Sequence, residues 1–161
     1  MAIQFTSQHL SAIRRHGERA FPYECCGLLL GEWRRDGKII HELWQVENTW
    51  DGAENPVADG ESSQRRFLID PLDFKRGHDY AHAKGWGVVG TYHSHPNHPA
   101  HPSEFDRQHA FPWGLSCVIV SVMAGEATEL YSWILNDADQ PEIEPLTLQQ
   151  PMEQPQLTAI L

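Results

Sequence analysis

Two histidines one residue apart, His93 and His95, are the residues whose type and spacing most directly suggest chemistry. In a strand, residues i and i+2 face the same way. The pair would then offer two imidazole nitrogens to one divalent metal, zinc above all. They belong to a cluster, with His98, His101 and His109 following before position 110. A His-x-His pair alone is equally at home as ordinary polar surface or core. The next segment adds Ser103 and Asp106. Read locally, these form a capping box, with Ser103 as N-cap and the Asp106 carboxylate reaching back to the backbone. Read as chemistry, a first-turn Asp after a tight loop can turn toward the two imidazoles. That makes a His₂Asp set with a fourth position open for water, the arrangement of catalytic rather than structural zinc.

Hydrolysis at such a centre needs a base for the water and a donor for the oxyanion. Glu24 is the candidate base. It stands at the edge of an apolar run, where an acid is costly to bury without a partner. Its other reading is a solvated acid ahead of a strand.

The elements that must position these residues can be read in order. Leu10, Ile13, Gly17 and Ala20 have helical spacing, which predicts a helix over Ser7–Ala20 with Ser7 as N-cap. Residues 25–33 read as a buried strand and 39–48 as a second, paired in a hairpin through 34–38. Residues 50–63 have loop composition, with four acids and no basic residue. Residues 66–69 are a short strand candidate. Asp70 caps a helix whose first residue is Pro71, and Lys84-Gly85 ends it. Residues 86–95 form the strand that carries the histidine pair, stopped by Pro96. A loop over 97–102 leads to a short helix over 103–110. Strands at Ser116–Met123 and 127–135 flank a turn at residues 124–126. Residues 142–148 would add an edge strand. The order implies an α/β fold, a mixed sheet flanked by helices. One domain is expected over 1–148, followed by a polar, flexible tail over 149–161.

The pattern Glu24, His93-Ser94-His95-Pro96, Ser103 and Asp106 resembles the JAMM (MPN+, Mov34/MPN/PAD-1) metallopeptidase motif at every position. Residues 24–31 resemble the glutamate-bearing strand of that family's short prokaryotic members. The resemblance spans about residues 5–135. It implies a curved, partly antiparallel sheet like the cytidine-deaminase-like sandwich. It also implies a zinc hydrolase of peptide or isopeptide bonds. In it His93, His95 and Asp106 would ligate Zn²⁺, and Glu24 would be the general acid/base. Ser103 would donate to the tetrahedral oxyanion, and could cap its helix with the same geometry. Ser94 would face the opposite side of the strand as a structural residue. His98, His101 and His109 match no ligand of the family and read as loop and surface residues. The family's substrates imply a ubiquitin-like protein cut after Gly-Gly. The short chain looks more like members that process prokaryotic sulfur-carrier proteins. The acids of the 50–63 loop could then meet a basic patch on the carrier.

Composition bounds the rest. Twelve Lys+Arg against 22 Asp+Glu give a net charge of −10, and 40% of residues are apolar. That balance disfavours nonspecific nucleic-acid binding, which relies on Lys/Arg displacing phosphate counterions, and also disfavours anionic membranes. No apolar stretch is long enough to span a bilayer, and the N-terminus has no secretory pattern. Three Cys, two of them adjacent, are a poor disulfide framework, which fits a reducing, cytoplasmic setting. The oligomeric state is not legible. Two other functions compete: a cysteine hydrolase using Cys25 or Cys26, and a non-catalytic MPN-type binding or scaffold module. A zinc deaminase would need Pro-Cys-x-x-Cys and a thermolysin-like protease His-Glu-x-x-His. Neither occurs.

Overall fold

The computed structural model describes residues 1–50, 66–110 and 114–149. It begins with a short strand that the pattern did not disclose, β1 (Ala2–Phe5). Ile3 and Phe5 are fully buried, but four residues are too few for a period to show. The first helix, α1 (Ser7–Ala20), has the expected span but a different cap. Thr6, not Ser7, is the N-cap, accepting at 3.1 Å from His9 N–H.

The expected hairpin is present as β2 (Cys26–Arg34) and β3 (Gly37–Val46), antiparallel around residues 35–36. Gly37 has φ +151, and a Cβ there would sit 1.9 Å from the Ala2 carbonyl oxygen, so only glycine lets β1 pass this closely. Residues 66–69 do not make a strand. They contribute one isolated bridge, Ile69 to Asn48.

Helix α2 (Pro71–Ala83) is capped by Asp70, which accepts from Leu72 N–H at 2.8 Å. Strand β4 (Gly87–Pro96) runs one residue further than expected and is almost wholly buried. Helix α3 (Glu104–His109) is capped by Ser103. Strands β5 (Ser116–Met123) and β6 (Glu126–Leu135) form the next hairpin. The expected edge strand is in fact two strands, β7 (Pro141–Glu144) and β8 (Leu146–Leu148).

The sheet order is β7-β6-β5-β4-β2-β3-β1-β8. The pairs β1–β3, β1–β8 and β4–β5 are parallel and the rest antiparallel. Strands β7 and β8 are separated by Pro145 alone, yet they are the two ends of the sheet. The sheet must therefore curl until its edges nearly meet. A buried polar latch holds the closing strands. Lys38 Nζ donates to Glu144 (3.2 Å) and Ser116 (2.6 Å), and the Ser116 and Ser132 hydroxyls both donate to Glu144 Oε2.

Helix α1 packs on β4, β5 and β6, and α2 packs on β2 and β4. Gly17 of α1 approaches Ser94, and Gly77 of α2 approaches Leu28, which pairs with Thr91. Ser94 and Thr91 point to opposite faces of β4, so a helix covers each face. Among the described residues no helix is long and apolar enough to cross a membrane. Of the expected tail, Gln149 is hydrogen-bonded to Phe5, Ile40 and Gln4 backbone. The remainder, like most of the 50–63 loop, lies outside the described residues.

Candidate metal centre

Strand β4 delivers His93 and His95 to one face, and α3 brings Asp106 up against them. Three distances define the arrangement. His93 Nε2 lies 3.1 Å from His95 Nε2 and 3.2 Å from Asp106 Oδ1, and His95 Nε2 lies 3.2 Å from Asp106 Oδ2. Donors about 2.0–2.1 Å from a tetrahedral zinc stand about 3.3 Å from one another. The donor set therefore fits one small divalent cation. Among the described residues this is the cluster with that property.

Charge states agree with this fit. Burial pushes the His93 imidazole below its ordinary value, against the pull of Asp106, which favours the uncharged ring with one nitrogen lone pair open to a metal. Burial opposes ionisation of Asp106, but the two imidazoles outweigh it and hold the carboxyl far below the usual range. The Ser103 backbone N–H (2.7 Å) and hydroxyl (2.8 Å) also donate to Asp106 Oδ2. The Asp106 N–H returns a bond to Ser103 Oγ at 3.1 Å. The capping box is thus real, and it orients the carboxylate toward the histidines. Cap and candidate ligand are one geometry.

The loop between the histidines and α3 is pinned along its length. Asn97 N–H donates to Val122 O at 2.7 Å, and Ser121 Oγ–H to His98 O at 2.6 Å. Trp133 Nε1–H donates to Ala100 O at 3.0 Å. His95 Nδ1 stands 2.8 Å from Pro99 O, which makes Nδ1 the protonated nitrogen and leaves Nε2 its lone pair. These ties orient His95 and fix the segment that leads into α3 and Asp106.

Glu24 reaches the site through register. Cys26 pairs with His93, and Ser94 N–H donates to Cys25 O, so the antiparallel ladder carries Glu24 alongside His95. Glu24 is buried and lines an open cleft of about 230 Å³ with His95, His98, His101, Ser103, Pro99 and Arg66. Ser94 faces away from the cleft, its Oγ accepting from Cys25 N–H at 2.8 Å. His98 and His101 are exposed on the cleft rim, with His101 against Trp133 (ring centroids 5.1 Å). His109 is exposed and stacks on Phe105. None of the three joins the donor cluster.

Sequence reasoning missed Arg66 and Pro99 in the cleft wall. It also missed Asn48, whose amide donates to Glu24 O (3.0 Å) and Arg66 O (2.9 Å) and accepts from Trp50 and Leu68 N–H. An Asn at the end of a strand before an irregular segment was the available signal. Phe67 stacking on His93 (4.3 Å between ring centroids) left no local trace.

Residues 6–136 match the family of prokaryotic homologs of the JAB domain. The chain belongs to this family. Its fold is similar to the solution structure of a protein from Desulfitobacterium hafniense (26% identical, TM-score 0.75, covering 94% of this chain and 95% of that one). It is also similar to one from Salinibacter ruber (34% identical, TM-score 0.67, 94% of each chain). A structure described as a metalloprotease-like zinc site in the proteasome and signalosome shares the fold (17% identical, TM-score 0.53, covering 93% of this chain and 100% of that one). A curated relative, tail tip assembly protein K of Escherichia phage N15, is 28% identical over 109 residues, 65% of this chain. The chain spans about a third of that relative's length (36%). The JAB/JAMM family includes zinc hydrolases, and this member retains a group able to bind a metal.

Proposed function

We propose that this JAB-family protein is a zinc-dependent peptidase or isopeptidase. The single observation that carries this reading is the convergence of His93, His95 and Asp106 on one point, with Glu24 in the adjoining cleft wall. His93, His95 and Asp106 would hold the metal. Zinc bound there would supply an acidified water and a Lewis acid for the scissile carbonyl.

The chain's own residues account for the remaining steps. The Glu24 carboxylate takes the proton released by the attacking water and hands it to the leaving amine. The Ser103 hydroxyl turns from Asp106 Oδ2 to the developing oxyanion. The Ser103 backbone N–H keeps Asp106 in place meanwhile.

The substrate in this reading is a ubiquitin-like protein of the prokaryotic sulfur-carrier kind, cut after its C-terminal Gly-Gly. An open cleft suits an extended glycine tail, which has no side chains to accommodate. The reading also keeps residues 1–148 as a single catalytic domain working in the cytoplasm. A cysteine hydrolase has less support. Burial pushes the Cys25 thiol up to about 11 and the Cys26 thiol higher still.

The test is hydrolysis of Gly-Gly-linked conjugates by the zinc-loaded chain, read by mass, beside Glu24→Gln. Cleavage after Gly-Gly that Glu24→Gln abolishes is the expected result. Zinc binding without cleavage of any conjugate would favour a non-catalytic binding module.

A further inference from the structure

His93 has two ring nitrogens, and the metal-centre reading uses only Nε2. A neutral imidazole carries one proton, so a metal on Nε2 places that proton on Nδ1. Metal-ligating histidines normally give this N–H to an acceptor, which fixes both tautomer and ring plane. For His95 the acceptor is Pro99 O. For His93, the group facing Nδ1 is the Cys117 sulfur at 3.8 Å. Both side chains have no solvent exposure.

Register explains the contact. His93 pairs with Ile119, and Cys117 lies two residues earlier on the same face of β5. Phe67 lies flat against the imidazole, at an interplanar angle of 22°, and limits its rotation. We propose that Cys117 is a positioning residue: its sulfur accepts the Nδ1–H of His93, so that the Nε2 lone pair points at the metal position between His95 and Asp106. This rests on the metal-centre reading above. It gives the third cysteine a role that neither thiol chemistry nor a disulfide supplies.

The test compares zinc affinity, by chelator competition, for the wild type, Cys117→Ser and Cys117→Val. Valine keeps an apolar side chain of similar size without an acceptor, whereas serine keeps an acceptor in a smaller side chain. Loss of such a partner typically weakens metal binding about 10–100-fold. Sulfur is a weak acceptor, so the expected loss for Cys117→Val is about tenfold, with Cys117→Ser closer to wild type. Melting of the metal-free proteins separates this from a packing effect.

A second readout is the long-range ¹H–¹⁵N spectrum of the zinc-loaded wild-type chain. It should show the His93 proton on Nδ1, and it decides the matter if the valine protein does not fold. The inference is overturned if Cys117→Val matches wild type while Cys117→Ser weakens, or if His93 binds zinc through Nδ1. A wild-type chain that binds no zinc would instead overturn the metal-centre reading, before any variant is compared.

Discussion

Ser103→Ala separates two roles that the structure assigns to one hydroxyl. As an N-cap, Ser103 Oγ accepts from Asp106 N–H at 3.1 Å and donates to Asp106 Oδ2 at 2.8 Å. Losing a serine cap to alanine typically costs about 1 kcal/mol. In a domain of this size, that lowers the melting temperature by about 2–4 °C. The Ser103 backbone N–H survives the substitution and still holds Asp106, so zinc content should persist. Catalysis should fall much further. Loss of one oxyanion donor typically lowers kcat about 10²–10³-fold, or about 2.7–4 kcal/mol. Ser103→Thr, which retains a hydroxyl, should recover most of both. The assay pairs thermal unfolding with single-turnover hydrolysis of a Gly-Gly conjugate by fully zinc-loaded protein. A kcat loss below about fivefold at full zinc occupancy would refute the oxyanion role. An unchanged melting temperature would refute the cap.

Three further outcomes are expected. Glu144→Ala leaves the buried Lys38 ammonium without its carboxylate, along with two serine hydroxyls. Urea unfolding should show a loss of about 3–5 kcal/mol, and the Lys38→Met, Glu144→Gln double variant should recover part of it. His16, against the Tyr92 hydroxyl at 2.8 Å, is held below its ordinary value by burial and by Arg19. A depressed folded-state value means the unfolded chain takes up the proton first as pH falls below about 6.5. Stability should therefore decline from about pH 7 toward 5, and His16→Gln should flatten that decline by a fraction of a proton. Finally, with Cys25 pushed up to about 11 and only 3% exposed, a thiol alkylator at pH 7 should leave hydrolysis intact. Rapid inactivation would restore the cysteine mechanism.

Much of the site was legible because its parts are close in sequence. His93 and His95 share a strand face by parity alone, and Ser103 and Asp106 share a first turn. The capping-box reading and the ligand reading of Asp106 did not compete, because the bonds that cap α3 also aim the carboxylate. Glu24 lies 69 residues before His93, and spacing alone could not place it. The β2–β4 register does, through Cys26 and His93. The groups that went unseen, Cys117, Phe67 and Asn48, act across strands or irregular segments, and nothing in their neighbours marks them. The fold was legible where elements were long enough to show a period. It was not legible at β1, and over β7 and β8 the pattern showed one edge strand where there are two, because strands of three or four residues carry too little of a period. Those short strands nonetheless bring the two edges of the sheet together.

The central claim is that His93, His95 and Asp106 together hold one zinc ion. Its most direct test is the zinc content of the purified chain after equilibration with limiting zinc and gel filtration. The wild type should retain one zinc per chain, as should Glu24→Gln, while His93→Ala and Asp106→Ala should retain essentially none. A wild-type chain that emerges without zinc, or a His93→Ala chain that keeps a full equivalent, would contradict it.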